Sequence, residues 1–291
     1  MAAQPVKPLI VITGPTASGK TSLAISLAEE FNGEIICADS RTVYKYMDIG
    51  TAKPTAADQA RVAHWGIDLV EPGERFTAAD FKSYADQKIA EIRARGRVPF
   101  LVGGTGLYVD SVIFNYTFGS DRNEVLRYEL QQKTIEELHE YSQSKKIPLP
   151  ENDKNKRYII RKIENLTEVV ESDKELIDNT IVVGIATEKD TLVRNIEKRA
   201  EQLFEDGVVE EAKNLGNKYG WDNEAMTSNI YRLIGQCERG DITIDELKQK
   251  FLTSDWRLAK RQMTWLRRNK FVQWMTIEQA KPYISGLLAK Q

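Results

Sequence analysis

The 291-residue sequence contains few cysteines and few histidines. Cys37 and Cys237 are its two cysteines, and His64 and His139 its two histidines. Two cysteines are too few for the disulfide framework of a small secreted protein, and the four residues lack the spacing of a zinc site. We therefore expect no zinc site, a reducing cytoplasmic environment, and a small buried thiol at Cys37, which lies in an apolar run.

Long apolar runs and an excess of charge are also missing. No stretch approaches the ~20 apolar residues that a membrane helix needs, and residues 1–8 are short and polar, unlike a signal peptide. The 41 Lys and Arg residues nearly balance the 43 Asp and Glu residues. Because the net charge is so small, any polyanion must be held by local basic patches. We expect a soluble, unexported protein that is not a sequence-independent coat for nucleic acid.

Apolar, β-branched runs alternate with helical segments in the first third of the chain. The predicted strands span 9–13, 34–38 and 98–102, and the predicted helices span 20–31 and 78–95. Strand, helix, strand alternation predicts a parallel sheet. The fold class is therefore α/β, a P-loop NTPase-like parallel sheet flanked by helices.

The pattern changes in the middle of the chain. Residues 119–178 form charged helical segments, and strand character returns only at 181–186. Further helices are predicted at 199–215, 245–251 and 255–269. We predict a catalytic core in two parts, 1–118 and 179–291, with a helical insertion domain at 119–178 and a basic helix near the end.

Residues 14–21, Gly-Pro-Thr-Ala-Ser-Gly-Lys-Thr, match the P-loop pattern G-x-x-x-x-G-K-[ST] between a predicted strand and a predicted helix. In such a loop, backbone amides and the helix N-terminus hold phosphate, the lysine adds a positive charge and the last hydroxyl binds Mg²⁺. Phosphate contact is predicted for Gly14, Pro15, Thr16, Ala17, Ser18, Gly19, Lys20 and Thr21. Kinases, other nucleotidases and transferases with a diphosphate leaving group all remain possible.

Two further loops follow predicted strands. Asp39 ends the second strand at the sheet edge where open α/β folds bind ligands. It could be a magnesium ligand, a base acting on an acceptor, or a cap of the next segment. After the third strand, Gly103, Gly104 and Gly106 permit close approach of the backbone to a ligand, with Thr105 supplying a hydroxyl. A tight turn would explain the glycines equally.

Basic residues cluster on two predicted helices. A solvated basic face is the alternative to phosphate binding for each cluster, and their joint presence favours RNA. The first contains Arg257, Lys260, Arg261, Arg267 and Arg268, and the second contains Lys154, Lys156, Arg157, Arg161 and Lys162.

Five segments together resemble the bacterial tRNA dimethylallyltransferases, the isopentenyltransferases that modify the adenine beside the anticodon. The segments occur in family order, at both ends of the chain. They are 14–21, 38–40 (Ala-Asp-Ser), 47–54 (Met-Asp-Ile-Gly-Thr-Ala-Lys-Pro), 102–108 (Val-Gly-Gly-Thr-Gly-Leu-Tyr) and 259–265 (Ala-Lys-Arg-Gln-Met-Thr-Trp). Chance agreement in all five is negligible. Residues 47–54 have no chemistry that the sequence alone reveals.

The resemblance implies transfer of a dimethylallyl group from dimethylallyl diphosphate to the N6 amine of adenine 37 in tRNA, giving N6-(dimethylallyl)adenosine. Asp39 would take the proton from the amine, and Lys20 and Thr105 would complete the catalytic set. The phosphate loop would hold the diphosphate, with Arg199 as a further clamp and Thr21 as a ligand of Mg²⁺.

The implied partners are dimethylallyl diphosphate and the anticodon stem-loop of tRNA, with no membrane, and we expect a monomer. The insertion domain would contact the tRNA, and the target base would leave its stack. Contact with tRNA is expected for Asp39, Ser40, Arg41, Thr42, Thr105, Arg127, Arg157, Arg161, Arg232, Lys260, Arg261, Gln262, Trp265 and Arg268.

Departures from the family pattern fall mainly on the acceptor side. Thr42 replaces the glutamine that reads adenine, and Trp65 replaces a histidine. Asn195 replaces the first arginine of R-I-x-x-R, Leu233 replaces a glutamate, and Tyr158 replaces an arginine of the insertion motif. The motifs on the donor side are intact.

Three other functions stay open. A prenyltransferase acting on free AMP, ADP or ATP, as in cytokinin synthesis, would share the phosphate loop and Asp39. The basic helix and the insertion speak against it, since a free nucleotide needs no RNA-binding surface. A small-molecule P-loop kinase and an inactive RNA-binding homologue are the other two.

Overall fold

The computed structural model describes residues 6–118, 124–165 and 175–290. Six strands lie in these ranges: β1 Leu9–Thr13, β2 Gly33–Cys37, β3 His64–Trp65, β4 Val98–Gly103, β5 Thr180–Ile185 and β6 Gln273–Met275. They form one sheet in the order β3-β2-β4-β1-β5-β6, and all pairings are parallel. The predicted α/β class with a parallel sheet is confirmed.

Twelve α-helices lie in the same part of the chain. Their bounds are α1 Lys20–Glu30, α2 Ala56–Arg61, α3 Ala78–Ala94, α4 Gly106–Ile113, α5 Glu124–Gln132, α6 Ile135–Ser144, α7 Lys156–Asn165, α8 Lys189–Glu205, α9 Val208–Tyr219, α10 Asn229–Glu238, α11 Ile244–Leu266 and α12 Ile277–Leu288. Among these described residues, none of the helices is long and apolar enough to cross a membrane.

Strands β1 and β4 are buried along their whole length, as expected for parallel strands with helices on both faces. Leu27 of α1 and Ile284 of α12 pack in the same apolar cluster as Ile10 and Cys37 of the sheet. Cys37 is buried as predicted, and burial raises the pKa of its thiol to about 12. This thiol therefore stays protonated and is part of the core.

The chain divides into two compact units, one of residues 1–113 and 176–291 and one of residues 114–175. The boundaries lie slightly before those predicted, 119 and 178. In the smaller unit, α5, α6 and α7 share an apolar cluster that includes Leu130, Leu138 and Ile159. The larger unit holds the whole sheet.

Two predicted helix boundaries are wrong. The predicted helix 199–215 is interrupted at Gly207, whose φ of +94° lies in the left-handed region that helices do not continue through. Residues 245–251 and 255–269 are not two helices. They belong largely to the single helix α11, because 252–254 contain no glycine or proline to end it.

Strand β1 pairs with β4 on one side and β5 on the other. The loops after β1, β2 and β4 therefore meet at the carboxyl edge of the sheet. Ligands of open α/β sheets bind at such a position.

Candidate active site

A cavity of about 1330 Å³ lies where these loops meet. Lys20, Asp39 and Thr105 line it from the sheet edge, and Arg199 of α8 and Gln262 of α11 line it from the helices. All of its walls belong to the larger unit. Site residues that were predicted from separate sequence motifs therefore line one cavity.

The phosphate loop, residues 14–21, contains a glycine that no other residue could replace without strain. Gly19, which precedes α1, has a φ of +80°, and a Cβ there would lie 2.6 Å from Cδ1 of Ile277. The Thr13 hydroxyl donates a hydrogen bond to the Gly103 carbonyl, 2.9 Å away. This bond joins the end of β1 to the end of β4, so the phosphate loop and the second glycine loop start from a fixed spacing.

Lys20 carries the positive charge of the loop. Its Nζ donates to the Pro15 carbonyl at 3.1 Å. Loss of hydration lowers the pKa of Lys20 to about 8; the Asp39 carboxylate acts against that shift and the Arg199 guanidinium adds to it. A bound diphosphate would place a negative charge beside this ammonium group and stabilise its protonated form.

Arg199 connects the phosphate loop to α11. Its guanidinium donates to the Thr16 hydroxyl and to Oδ2 of the buried Asp255, 3.0 Å away. Gln262 accepts from the Thr16 backbone amide at 2.8 Å. The role of Asp255 could not be predicted from the sequence, because it lies 56 residues after its partner.

Asn195 lies one turn before Arg199 on α8, where the family pattern has an arginine. Its side-chain amide donates to the Ala17 carbonyl at 3.0 Å. Asn195, which replaces the family's arginine, thus holds the phosphate loop through an uncharged hydrogen bond.

Hydrogen bonds hold Asp39 within its own loop and join Thr105 to that loop. The Asp39 carboxylate accepts from the Arg41 amide at 2.8 Å. The Thr105 hydroxyl accepts from the Ser40 amide at 3.1 Å, and the Thr105 amide donates to the Ala38 carbonyl at 3.2 Å. A carboxylate held in this way at the cavity wall can act on a substrate without reorganising.

The glycines after β4 are required by α11. A Cβ at Gly104 would lie 2.4 Å from Nε2 of Gln262, and one at Gly106 would lie 2.0 Å from the Trp265 ring. The sequence left open either close approach to a ligand or a tight turn here, and the structure shows close approach of two protein side chains. Nε1 of Trp265 also donates to Asp110 at 2.6 Å, and burial raises the pKa of that carboxyl.

Thr42 and Arg41 lie beside Asp39. Thr42 is buried, and its hydroxyl donates to the Asp39 carbonyl at 3.4 Å. The side chain of Arg41 donates to the Glu224 carbonyl at 3.1 Å. Both residues line the cavity, as Ser40 and Arg261 do.

The remaining predicted tRNA contacts lie elsewhere. Lys260 and Arg268 are exposed on or just after α11, and Arg232 borders a separate pocket of about 420 Å³. In the smaller unit, Arg157 and Arg161 are exposed. Arg127 is instead largely buried and pairs with Glu164 at 3.0 Å.

Residues 48–55 also line the cavity, a role that the sequence did not reveal. The buried Lys53 holds this segment by donating to Asp48 at 2.5 Å, to Asp68 at 2.6 Å and to the Tyr44 carbonyl at 3.0 Å. In the sequence, the one sign of this role was a lysine, Lys53, among small and apolar residues.

Two family models match the sequence. The model described as "IPP transferase" matches residues 42–269, and "Isopentenyl transferase" matches residues 7–64. A protein of Bacillus subtilis (strain 168) named tRNA dimethylallyltransferase is 35% identical over 283 residues, which cover 92% of this chain and 90% of the relative. A protein of that name from Staphylococcus saprophyticus is 38% identical over 288 residues, or 93% and 91% of the two chains.

Solved structures agree with these matches. The crystal structure of a tRNA isopentenylpyrophosphate transferase from Bacillus halodurans has a TM-score of 0.75 at 35% identity and covers 98% of both chains. A eukaryotic dimethylallyltransferase acting on tRNA has a TM-score of 0.75 at 21% identity, covers 93% of this chain and 74% of its own, and shares the fold. On the extent of these matches, the chain belongs to the IPP transferase family, in which its curated relatives are named tRNA dimethylallyltransferases.

Proposed function

We propose that the protein transfers a dimethylallyl group from dimethylallyl diphosphate to the N6 amine of adenine 37, beside the anticodon of tRNA. The product is N6-(dimethylallyl)adenosine. One observation carries the proposal: the phosphate loop with Lys20 and the carboxylate of Asp39 line the same cavity. The phosphate loop and Lys20 suit a departing diphosphate, and the Asp39 carboxylate suits an amine that must lose a proton.

On the donor side, the allylic carbon–oxygen bond breaks and the diphosphate leaves with the electron pair. Backbone amides at the start of α1 face the growing negative charge, together with Lys20 and Arg199. Because Arg199 is already held by Thr16 and Asp255, its orientation costs little at the moment of reaction. Thr105 lines the same cavity, and its hydroxyl would donate to a diphosphate oxygen.

Mg²⁺ is the proposed cofactor. The Thr21 hydroxyl lines the cavity, and Mg²⁺ prefers such an oxygen ligand together with substrate phosphates and water. The ion would be held by Thr21 and by the diphosphate itself. When bound, the ion supplies charge neutralisation for the leaving group.

On the acceptor side, the adenine amine is a poor nucleophile because its lone pair is delocalised into the ring. Asp39 accepts a proton from the amine nitrogen as the new carbon–nitrogen bond forms. The amide of Arg41 and the Ser40–Thr105 contact keep the carboxylate and its loop in place.

Binding energy favours tRNA over a free nucleotide as acceptor. The adenine must leave its stack before it enters the cavity, and contacts to remote phosphates can offset that cost. Arg261 and Arg268 of the larger unit and Arg157 and Arg161 of the smaller unit are exposed and basic. A free nucleotide offers no phosphates for so many arginines.

The proposal is tested by the choice of acceptor. With labelled dimethylallyl diphosphate and Mg²⁺, the protein should label an anticodon stem-loop that has adenine at position 37, and leave AMP, ADP and ATP nearly unlabelled. A stem-loop with guanine at that position is the matched control. Labelling of AMP without labelling of the stem-loop would contradict the tRNA acceptor, and phosphate transfer from ATP would identify a kinase instead.

A further inference from the structure

Glu211 of α9 holds the segment that forms one wall of the cavity. Its carboxylate accepts hydrogen bonds from three consecutive backbone amides, those of Asp48 at 2.9 Å, Ile49 at 2.7 Å and Gly50 at 2.9 Å. The three amides belong to residues that line the cavity, whereas Glu211 does not line it. The carboxylate therefore supports the wall without facing the substrate.

Tyr231 of α10 completes this support. It is fully buried, and its hydroxyl donates to Glu211 at 2.5 Å. Burial and the neighbouring carboxylate raise the pKa of Tyr231, so the hydroxyl stays protonated and remains a donor. A Cβ at Gly50 would lie 2.7 Å from that hydroxyl oxygen. The Tyr231 ring therefore lies directly against the backbone of Gly50, with no room for a side chain at that position.

The first turn of α10 links this wall to the phosphate loop. Ile230 lines the cavity next to Tyr231 in sequence. Asn229 donates to Asp255 at 3.2 Å, and Asp255 is the carboxylate that holds Arg199. A continuous series of hydrogen bonds and one helical turn therefore connects residues 48–50 with the guanidinium at the phosphate loop.

We propose that Glu211 is a positioning residue for the transfer reaction, which fixes the cavity wall 48–50 relative to Arg199 and the phosphate loop. The inference rests on the proposed function, because it concerns the same cavity. Amides bonded to a carboxylate make strong, charge-assisted hydrogen bonds, and consecutive amides form a concave site for an anion. Without Glu211 these amides would need water or a new backbone conformation. A displacement of about 1 Å in a catalytic cavity can cost on the order of 100-fold in rate.

Three variants test the role, with a matched control. Glu211→Ala removes the carboxylate, Glu211→Gln keeps its shape but turns one acceptor into a donor, and Tyr231→Phe removes only the hydroxyl. Glu210→Gln is the control, because Glu210 is the adjacent residue of α9, is 75% exposed and forms an ion pair with Lys213 at 3.7 Å. It makes the same change of charge without touching the wall.

Two measurements are made on each folded variant: the single-turnover rate at saturating donor and stem-loop, and hydrogen exchange of the amides of residues 48–50. Relative to the control, we expect the rate to fall by about 10- to 100-fold in Glu211→Ala and by about 3- to 10-fold in Glu211→Gln and Tyr231→Phe. The three amides should exchange faster in the same order. A role in stability alone would lower the melting temperature but leave the rate per folded molecule unchanged.

A rate within twofold of the control for the Glu211 variants overturns the proposal, whatever the exchange data show. If Glu211→Ala does not fold, Tyr231→Phe decides, because its ring still packs against Gly50. These outcomes differ from failure of the proposed function, in which the parent and Glu210→Gln would also transfer nothing to the stem-loop.

Discussion

Removal of water from the Lys20 ammonium lowers its pKa to about 8, far below that of an exposed lysine. The Asp39 carboxylate offsets part of the cost of this partial burial, and an anion that enters the cavity would offset more of it. Lys20 is thus a residue whose native environment favours ligand binding over stability, as is common at functional sites.

The lowered pKa of Lys20 predicts a pH dependence of donor binding. Below about pH 8 the free protein carries a charged lysine, and affinity for dimethylallyl diphosphate should be constant. Above that pH, binding must also take up a proton, so the dissociation constant should rise by up to about tenfold per pH unit until the pKa of the complex is reached. Titration calorimetry between about pH 6.5 and 9.5 measures this.

Lys20→Arg is the control for that titration, because a guanidinium stays charged throughout the range. Its affinity should be lower but nearly independent of pH. The same decline in Lys20→Arg as in the parent would show that another group titrates.

At the scale of elements, α11 connects the two glycine-rich loops with an exposed basic surface. Gln262 and Trp265 face Gly104 and Gly106, and Arg261 lines the cavity. Within the motif 259–265, some residues therefore pack against the glycine-rich loops, and only the others are available to contact a nucleic acid.

The exposed arginines on and just after α11 predict a salt dependence of stem-loop binding. Replacing Arg261 and Arg268 by Ala should reduce the slope of log affinity for the stem-loop against log salt concentration by about 1 per lost phosphate contact. Affinity for dimethylallyl diphosphate should change much less. Replacement of Arg194 and Arg239, two exposed arginines outside this helix, is the control for total charge. An unchanged slope would mean that the basic face of α11 is merely solvated.

Local patterns predicted some elements well and others not at all. Strand β1 and helix α1 follow from a β-branched run and the P-loop spacing, since both signals lie within a few residues. Helix α12 was missed because it contains Pro282, which usually ends a helix, although Ala280 and Ile284 bury its inner face. Strand β3 has two residues, too few for a recognisable alternation.

At the scale of the whole molecule, the sheet topology assembles the cavity from distant segments. The phosphate loop and Asp39 were predictable because each directly follows a strand. The contacts of Arg199 with Asp255 and of Glu211 with residues 48–50 were not, because their partners are 56 and more than 160 residues apart. Such contacts arise only from the packing of α8, α9 and α11 around the sheet edge.

In the proposed reaction, one cavity provides both the phosphate loop that binds the diphosphate and the carboxylate that takes the proton. Asp39→Asn separates these two roles, since asparagine has nearly the same shape and cannot accept the proton. Single-turnover transfer to the stem-loop should slow by roughly 10²–10⁴-fold, while donor affinity and the melting temperature stay close to those of the parent. A single-turnover rate within a few-fold of the parent would contradict the account, because Asp39 would then not be the base.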